Sequence, residues 1–376
     1  MNSSTPVVKE RVGYLDMLKG LAMCIIVSGH IHNEYGWFSL PLHAFAIPMY
    51  FMVSGMTFRR EKFATVWDLI KRRAKTLLLP YLMFGLLTWA FWAVFSIATH
   101  RHADILSPLL QIVLSQGSGE FLTFNPPLWF ITCLFVIEVI YYFIDRLPEW
   151  ANILCCVACA FIGHWMVKGP YLDFFRLLPW NIEGAMTAIL FYCTGNVLTK
   201  HLSLKEIENR ALSFNKFGSI AYIIMATTIL VFVSYWNGHV SIGSNLLGKS
   251  TLVYYLTAYM GISTIFLFSI LICSINTGKR YIDGFVDFGK WFGRKSFWVM
   301  ATHVPVKNVL LFAIAGYIGK SIRFVRNDYF WCAVIFTITI GVCCLFCLVI
   351  EKWKKKDEER VQRWRERRMA AKRVSE

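Results

Sequence analysis

The sequence predicts an all-α fold, a polytopic membrane bundle of about ten transmembrane helices with both termini in the cytoplasm. Three observations predict it. Of 376 residues, 56% are hydrophobic and 16% aromatic, more apolar surface than a soluble domain can hide. The apolar residues come in runs of 16 to 25, lengths that cross a hydrocarbon core, and in lipid a single run satisfies its own backbone only as a helix. Lys and Arg, finally, lie where orientation puts them. Of 39, 30 fall in segments that an inside N-terminus makes cytoplasmic, seven in outside loops and two, Lys19 and Lys307, inside spans. That bias accounts for the net charge of +16 without a nucleic-acid partner; the partner implied is the lipid bilayer.

In chain order, a polar segment runs to about Tyr14 and meets span one, Leu15 to Ile31, with no small-residue cleavage site between them, so this helix is expected to stay as an anchor. Span two covers about Leu42 to Phe58, and a densely basic stretch, RREKFATVWDLIKRRAKT, leads to span three, about Leu77 to Thr99. Residues 100 to 127 form an outward connection punctuated by Gly and Pro, with an interfacial helix expected from Ile105 to Leu114. Spans four and five, Leu128 to Ile144 and Asn152 to Val167, are joined by a turn so short that they must be antiparallel. Span six covers Ile182 to Leu198, and four more run near Phe217 to Trp236, Thr251 to Ile275, Ser296 to Tyr317 and Phe330 to Ile350. No repeat and no loop large enough for a separate catalytic module is present, so residues 1–350 are one membrane domain and 351–376 a basic cytoplasmic tail. Trp353 and Trp364 among the tail's cations would suit anionic headgroups, but a solvated positive-inside tail without specific partners is the favoured account.

Ionisable residues inside spans mark function by default, because they are costly there. Lys19 and His30 are eleven residues apart, within ~20° of each other around the helix and ~16 Å apart along it, about half the depth of a bilayer core. They would mark the two ends of one polar stripe; alternatively Lys19 reaches the headgroups and His30 caps the helix. His303 and Lys307 share a face of span nine, and Glu138 sits within span four, where it either orients an imidazole or pairs with a Lys for packing. Arg72, Arg73 and Lys75 make a guanidinium-rich cytoplasmic cluster suited to phosphates, although orientation alone also explains it. Trp180, Asn181 and Glu183 open span six on the outside, where stacking and hydrogen bonding to a sugar compete with an aromatic belt and helix cap. Most of the 11 cysteines lie in apolar runs, where Cys acts as a small hydrophobe, and no metal site is expected.

Several of these residues carry a resemblance. Arg11, Leu15, Asp16, Lys19, Gly20, Ala22 and His30 resemble the opening of the acyltransferase-3 family of membrane acyltransferases, in which a cation precedes a His by eleven positions. Phe51, Ser54 and Gly55 resemble its F-x-x-S-G stretch; Arg72, Arg73, Lys75, Pro80 and Tyr81 its RR…PY element; Leu128, Trp129 and Phe130 its LWF; Gly293, Ser296, His303 and Pro305 its late G-x-x-S…H-x-P-V segment. The motifs occur in order over residues 11 to 350. LPWNIEGAMTAILFYCTGNVL is most similar to the branch grouped with fucose 4-O-acetylase-like proteins. That branch often carries F-H-M-P entering span two; here Phe45, Ala46, Ile47 and Pro48 stand there, without the imidazole at the outer mouth.

The resemblance implies an O-acyltransferase, in the simplest case an O-acetyltransferase, that takes its acyl group from cytosolic acetyl-CoA and modifies a glycan or lipid-linked saccharide outside a cell membrane, the bacterial inner membrane. Its expected catalytic residues are His30, Lys19 and His303. Arg72, Arg73, Lys75 and Lys19 would hold the donor, and Ser54, Trp129, Asn181 and Glu183 the acceptor. The chemistry suits those residue types: an imidazole with an ordinary pKa near ~6.5 can take a hydroxyl proton at neutral pH, and cations can grip the donor. A transporter of a small polar or acyl-bearing molecule is the alternative from another class, but interrupted helix pairs and inverted halves are not evident.

Overall fold

The computed structural model describes residues 12–32, 39–98, 104–117, 122, 124–168, 178–275 and 278–375, without the side chains of 365 and 367–375. Arg11 lies outside the described residues. Fifteen helices account for nearly all of the described chain: α1 Gly13–Ile31, α2 Ser39–Thr57, α3 Val66–Arg73, α4 Leu79–Ala98, α5 Ser107–Leu114, α6 Trp129–Ile144, α7 Glu149–Lys168, α8 Ile182–His201, α9 Leu204–Ser213, α10 Lys216–Asn237, α11 Thr251–Ser274, α12 Arg280–Arg294, α13 Ser296–Tyr317, α14 Ile322–Asn327 and α15 Tyr329–Ser375. One antiparallel pair of two-residue strands, Val240–Ser241 with Leu246–Leu247, closes the loop after α10.

Among the described residues nine helices are long and apolar enough to cross a membrane. The tenth expected span is also helical: α8 has 20 residues, ~30 Å at 1.5 Å per residue, enough for a bilayer core. It is less apolar for a physical reason. Glu183, Thr187, Asn196 and Thr199 lie on its buried side, where protein rather than lipid surrounds them, so a polar residue there can find a hydrogen-bond partner.

Two close crossings hold the centre together. A Cβ on Gly55 of α2 would lie 1.9 Å from the Tyr192 carbonyl oxygen of α8, and one on Gly195 of α8 would lie 2.0 Å from that of Met52. The backbones touch because neither residue has a side chain there. Asn196 then donates to the Gly55 and Phe58 carbonyls at 3.3 and 3.2 Å, satisfying the end of α2. α1 crosses α12 in the same way, with Gly20 against the Gly289 carbonyl and Gly293 against that of Asp16. It also packs on α2, α11, α13 and α15, so the helix that carries Lys19 and His30 is surrounded.

Two segments expected as loops are helical. α3 begins at a reciprocal cap, Thr65 accepting from the Asp68 N–H at 3.2 Å and Asp68 accepting from that of Thr65 at 2.9 Å, a T-x-x-D signal read as part of a basic loop. α12 is amphipathic, with Val286, Phe292 and Gly293 buried and Asp283, Asp287, Lys290 and Arg294 among its polar residues. α15 runs unbroken for 47 residues, through the last span and into the basic tail.

Candidate active site

The C-terminal end of α1 is fastened by cations. Lys307 of α13 donates to the His30 carbonyl at 3.3 Å, and Arg326 of α14 donates through Nε to that of Ile31 at 3.2 Å and through a terminal nitrogen to that of His32 at 2.9 Å. Three consecutive carbonyls at the negative end of a helix thus meet two positive side chains. Burial, with the Arg326 cation beside it, pulls the His32 imidazole below its ordinary range. Arg326 escaped the sequence reading because a cation in an outer loop carries no sign of which helix end it serves.

That fastening sets His30 against His303. The ring centroids are 5.2 Å apart and tilted by 48°. His30 is half-buried and His303 fully so. Nδ1 of His303 lies 2.9 Å from the Val299 carbonyl oxygen, one turn back on α13. A carbonyl only accepts, so Nδ1 carries the proton and Nε2 keeps its lone pair. Nε2 is buried and has no hydrogen-bond partner among the described residues. Two further imidazoles stand near this end of α1. His43, one turn earlier on α2, packs over Gly29, where a Cβ would lie 2.9 Å from its Nε2, and its ring centroid is 6.2 Å from that of His239.

The N-terminal part of α1 carries the second group. Lys19 donates to Asp16 at 2.9 Å, the carboxylate being almost wholly buried and the ammonium partly so. Tyr50 of α2 donates to the Lys19 carbonyl at 2.5 Å, and its ring lies 6.0 Å from Phe130 of α6. Phe130 in turn lies 4.7 Å from Phe51. Asp16 belonged to the recognised opening without a stated role; here it holds the cation. Ser54 donates to the Tyr50 carbonyl at 2.8 Å within α2.

In the basic stretch leading to α4, Arg72 and Lys75 are exposed and have no ion-pair partner among the described residues. Arg73 is different: its guanidinium pairs with Glu138 of α6, whose side chain is 4% exposed. Both guanidiniums lie over Phe63, at 5.7 Å for Arg72 and 6.0 Å for Arg73.

The remaining acceptor candidates lie around the starts of α6 and α8. Trp129 packs under Gly243, and Gly117 meets the backbone of the same loop residue. Asn181 is fully buried and accepts from the Gly117 N–H at 3.0 Å. Trp180 and Asn181 both adopt left-handed backbone, φ 64° and 55°, a conformation that L residues enter at a cost. Trp180 donates to the Val113 carbonyl at 3.1 Å, and Glu183 is 6% exposed. Asn125 donates to the Ala301 carbonyl at 2.8 Å, two residues before His303; the turn residue gave no hint of this in the sequence. A separate apolar cavity of about 590 Å³ opens between α10 and α11, lined among others by Met225, Ile229, Met260 and Phe266, and none of the candidate residues lines it.

These features define the class of the molecule, a multi-pass membrane protein with ionisable groups at both ends of its central helix. A family model described as an acyltransferase domain, that of the acyltransferase-3 family, matches residues 12–349, and the chain belongs to that family. It is an integral membrane acyltransferase. No curated protein and no solved structure matches the chain.

Proposed function

We propose that this acyltransferase moves an acyl group, in the simplest case acetyl, from cytosolic acetyl-CoA to a hydroxyl of a glycan or lipid-linked saccharide on the outer side of a cell membrane, with His30 as general base. The observation that carries the reading is the His30–His303 pair at the far end of the helix whose near end holds Lys19. In the transfer the thioester C–S bond breaks, an ester C–O bond forms, and the acceptor's proton leaves through the imidazole for the thiolate of the departing coenzyme. Neutral imidazole is suited to that proton at physiological pH. His303 has a fixed tautomer and a buried lone pair beside His30, a second proton acceptor at the same place.

Donor binding is assigned to the cytoplasmic side. Arg72 and Lys75, exposed and without ion-pair partners among the described residues, suit the phosphates. Lys19, held by Asp16, sits where the acyl end of the donor enters the polar stripe. Trp129, Asn181 and Glu183, all nearly buried, are assigned to the acceptor side, where they shape the walls, whereas Ser54, bonded to the Tyr50 carbonyl, lies toward the Lys19 end. The test is incubation of purified protein with radiolabelled acetyl-CoA and extracted surface glycans. Label in the glycan, lost in His30→Ala, supports the proposal, whereas no label in any glycan or lipid-linked fraction opposes it.

A further inference from the structure

Arg72 and Arg73 are neighbours with the same side chain, and the fold separates them. Successive residues of a helix point ~100° apart. At the end of α3 one guanidinium turns outward and is exposed, while the other turns into the bundle and meets Glu138. The backbone immediately beyond is unusual. Ala74–Leu78 form a π turn, in which the Leu79 N–H reaches the Ala74 carbonyl five residues back. Pro80 follows, with no N–H to give and a ring that crowds the preceding turn; the wider turn makes room for it. A π turn inserts one residue into the helical count and offsets the faces on either side, and such turns are frequent at functional sites. The direction of α3, and so of Arg72, is therefore not set by α4 alone.

The Arg73–Glu138 pair supplies what the π turn gives up. Glu138 projects from α6, a rigid span, and its carboxylate has almost no access to solvent. A donor phosphate could take Arg73 only by stripping it from that carboxylate, leaving a bare buried charge, which is strongly unfavourable. Arg72 and Lys75 carry no such debt. Phe63, itself buried and stacked on Phe58 at 6.2 Å, forms the aromatic floor beneath both guanidiniums.

We propose that Arg73 and Glu138 form a positioning lock for the donor entrance, fixing the rotation of α3 so that Arg72 and Lys75 face the donor phosphates while Arg73 is withheld from them. The inference rests on the donor reading given above. It assigns opposite roles to two residues that an alanine pair would remove together.

The test uses the full-length protein in detergent with acetyl-CoA as the probe, comparing Arg72→Gln, Arg73→Gln, Glu138→Gln and the double variant Arg73→Gln/Glu138→Gln. Thermal unfolding and acetyl-CoA affinity are measured for each. Arg72→Gln is expected to weaken acetyl-CoA binding tenfold or more with an unchanged unfolding midpoint. Arg73→Gln should lower the midpoint and weaken binding together, and adding Glu138→Gln should restore both, bringing affinity within about threefold of the parent although a cation is still missing. Rescue of that kind is expected of a positioning group and not of a phosphate ligand. A stable double variant that binds as poorly as Arg72→Gln overturns the proposal, as does strict additivity of the two single changes in the unfolding midpoint. Failure of the parent protein to bind acetyl-CoA would instead defeat the donor reading, and the thermal cycle would still decide whether the two residues are coupled.

Discussion

Gly55→Ala is the change whose cost can be worked most directly from the structure. An added Cβ would lie 1.9 Å from the Tyr192 carbonyl oxygen, and real Cβ atoms essentially never come within 3.0 Å of such a neighbour. α2 and α8 would have to part by about 1 Å, enough to forfeit a quarter to half of the van der Waals well along the seam. The same movement stretches the two Asn196 bonds to the end of α2, each worth ~1 kcal/mol. Together with an overpacking cost of ~1–3 kcal/mol, the loss comes to about 3–5 kcal/mol, roughly a hundredfold to a few thousandfold in the folded population. The assay is thermal unfolding in detergent beside Gly341→Ala, a control within α15 where a Cβ meets nothing within 4 Å and where Ala favours the helix. Gly55→Ala should unfold well below the parent and the control at or above it. Equal stability of the two variants would refute the close crossing, and with it the view that the glycine of the F-x-x-S-G stretch serves packing rather than chemistry.

Three further outcomes follow from the same arrangement. Arg326→Ala removes both charge-assisted bonds to the Ile31 and His32 carbonyls, so acyl transfer should fall about tenfold or more through misplacement of His30 while acetyl-CoA affinity stays unchanged; a parental rate would show that the end of α1 holds itself. Lys19→Ala should weaken donor binding or its positioning, and Lys19→Arg, which can still reach Asp16, should be tolerated, as steady-state kinetics with acetyl-CoA will show. Reporter fusions after Arg60 and after Lys356 should report cytoplasm and one after Gly238 the outside, and a cytoplasmic signal at Gly238 would invert the helices that carry the site.

Much of this architecture was legible in advance because lipid leaves the backbone few choices. Span nine, Ser296 to Tyr317, coincides with α13, and span one differs from α1 only by starting at Leu15 instead of Gly13. α8 was expected as a span and is a helix of the right length, although it is not among the nine helices apolar enough to cross a membrane. The pairing of side chains was another matter. Arg73 and Glu138 are far apart in sequence, and at that level every cation of the stretch reads as the same positive-inside charge. Lys19 and Asp16, three residues apart, could have been paired from helical spacing alone, but His30 with His303 and Arg326 with the end of α1 depend on helices that meet only in the folded bundle. The resemblance singled out His303 and Ser296 without saying what they touch. The helical start at Thr65 was readable as a cap and was masked by the density of charge around it.

The central claim is that an imidazole at the outer end of α1 takes the acceptor's proton, and His30→Gln tests it most directly. Glutamine keeps some hydrogen bonding but cannot accept the proton, and general-base catalysis is worth ~10² to 10⁴ in rate. Variant and parent are matched for expression and detergent stability, since a polar position in a helix matters to packing as well, and transfer of radiolabelled acetyl to the glycan acceptor is measured alongside acetyl-CoA binding. The account predicts that transfer falls by at least about a hundredfold while acetyl-CoA still binds as in the parent. A well-folded His30→Gln protein that transfers acetyl at near the parental rate would contradict it, and His30 would then be an interfacial histidine without a part in the chemistry.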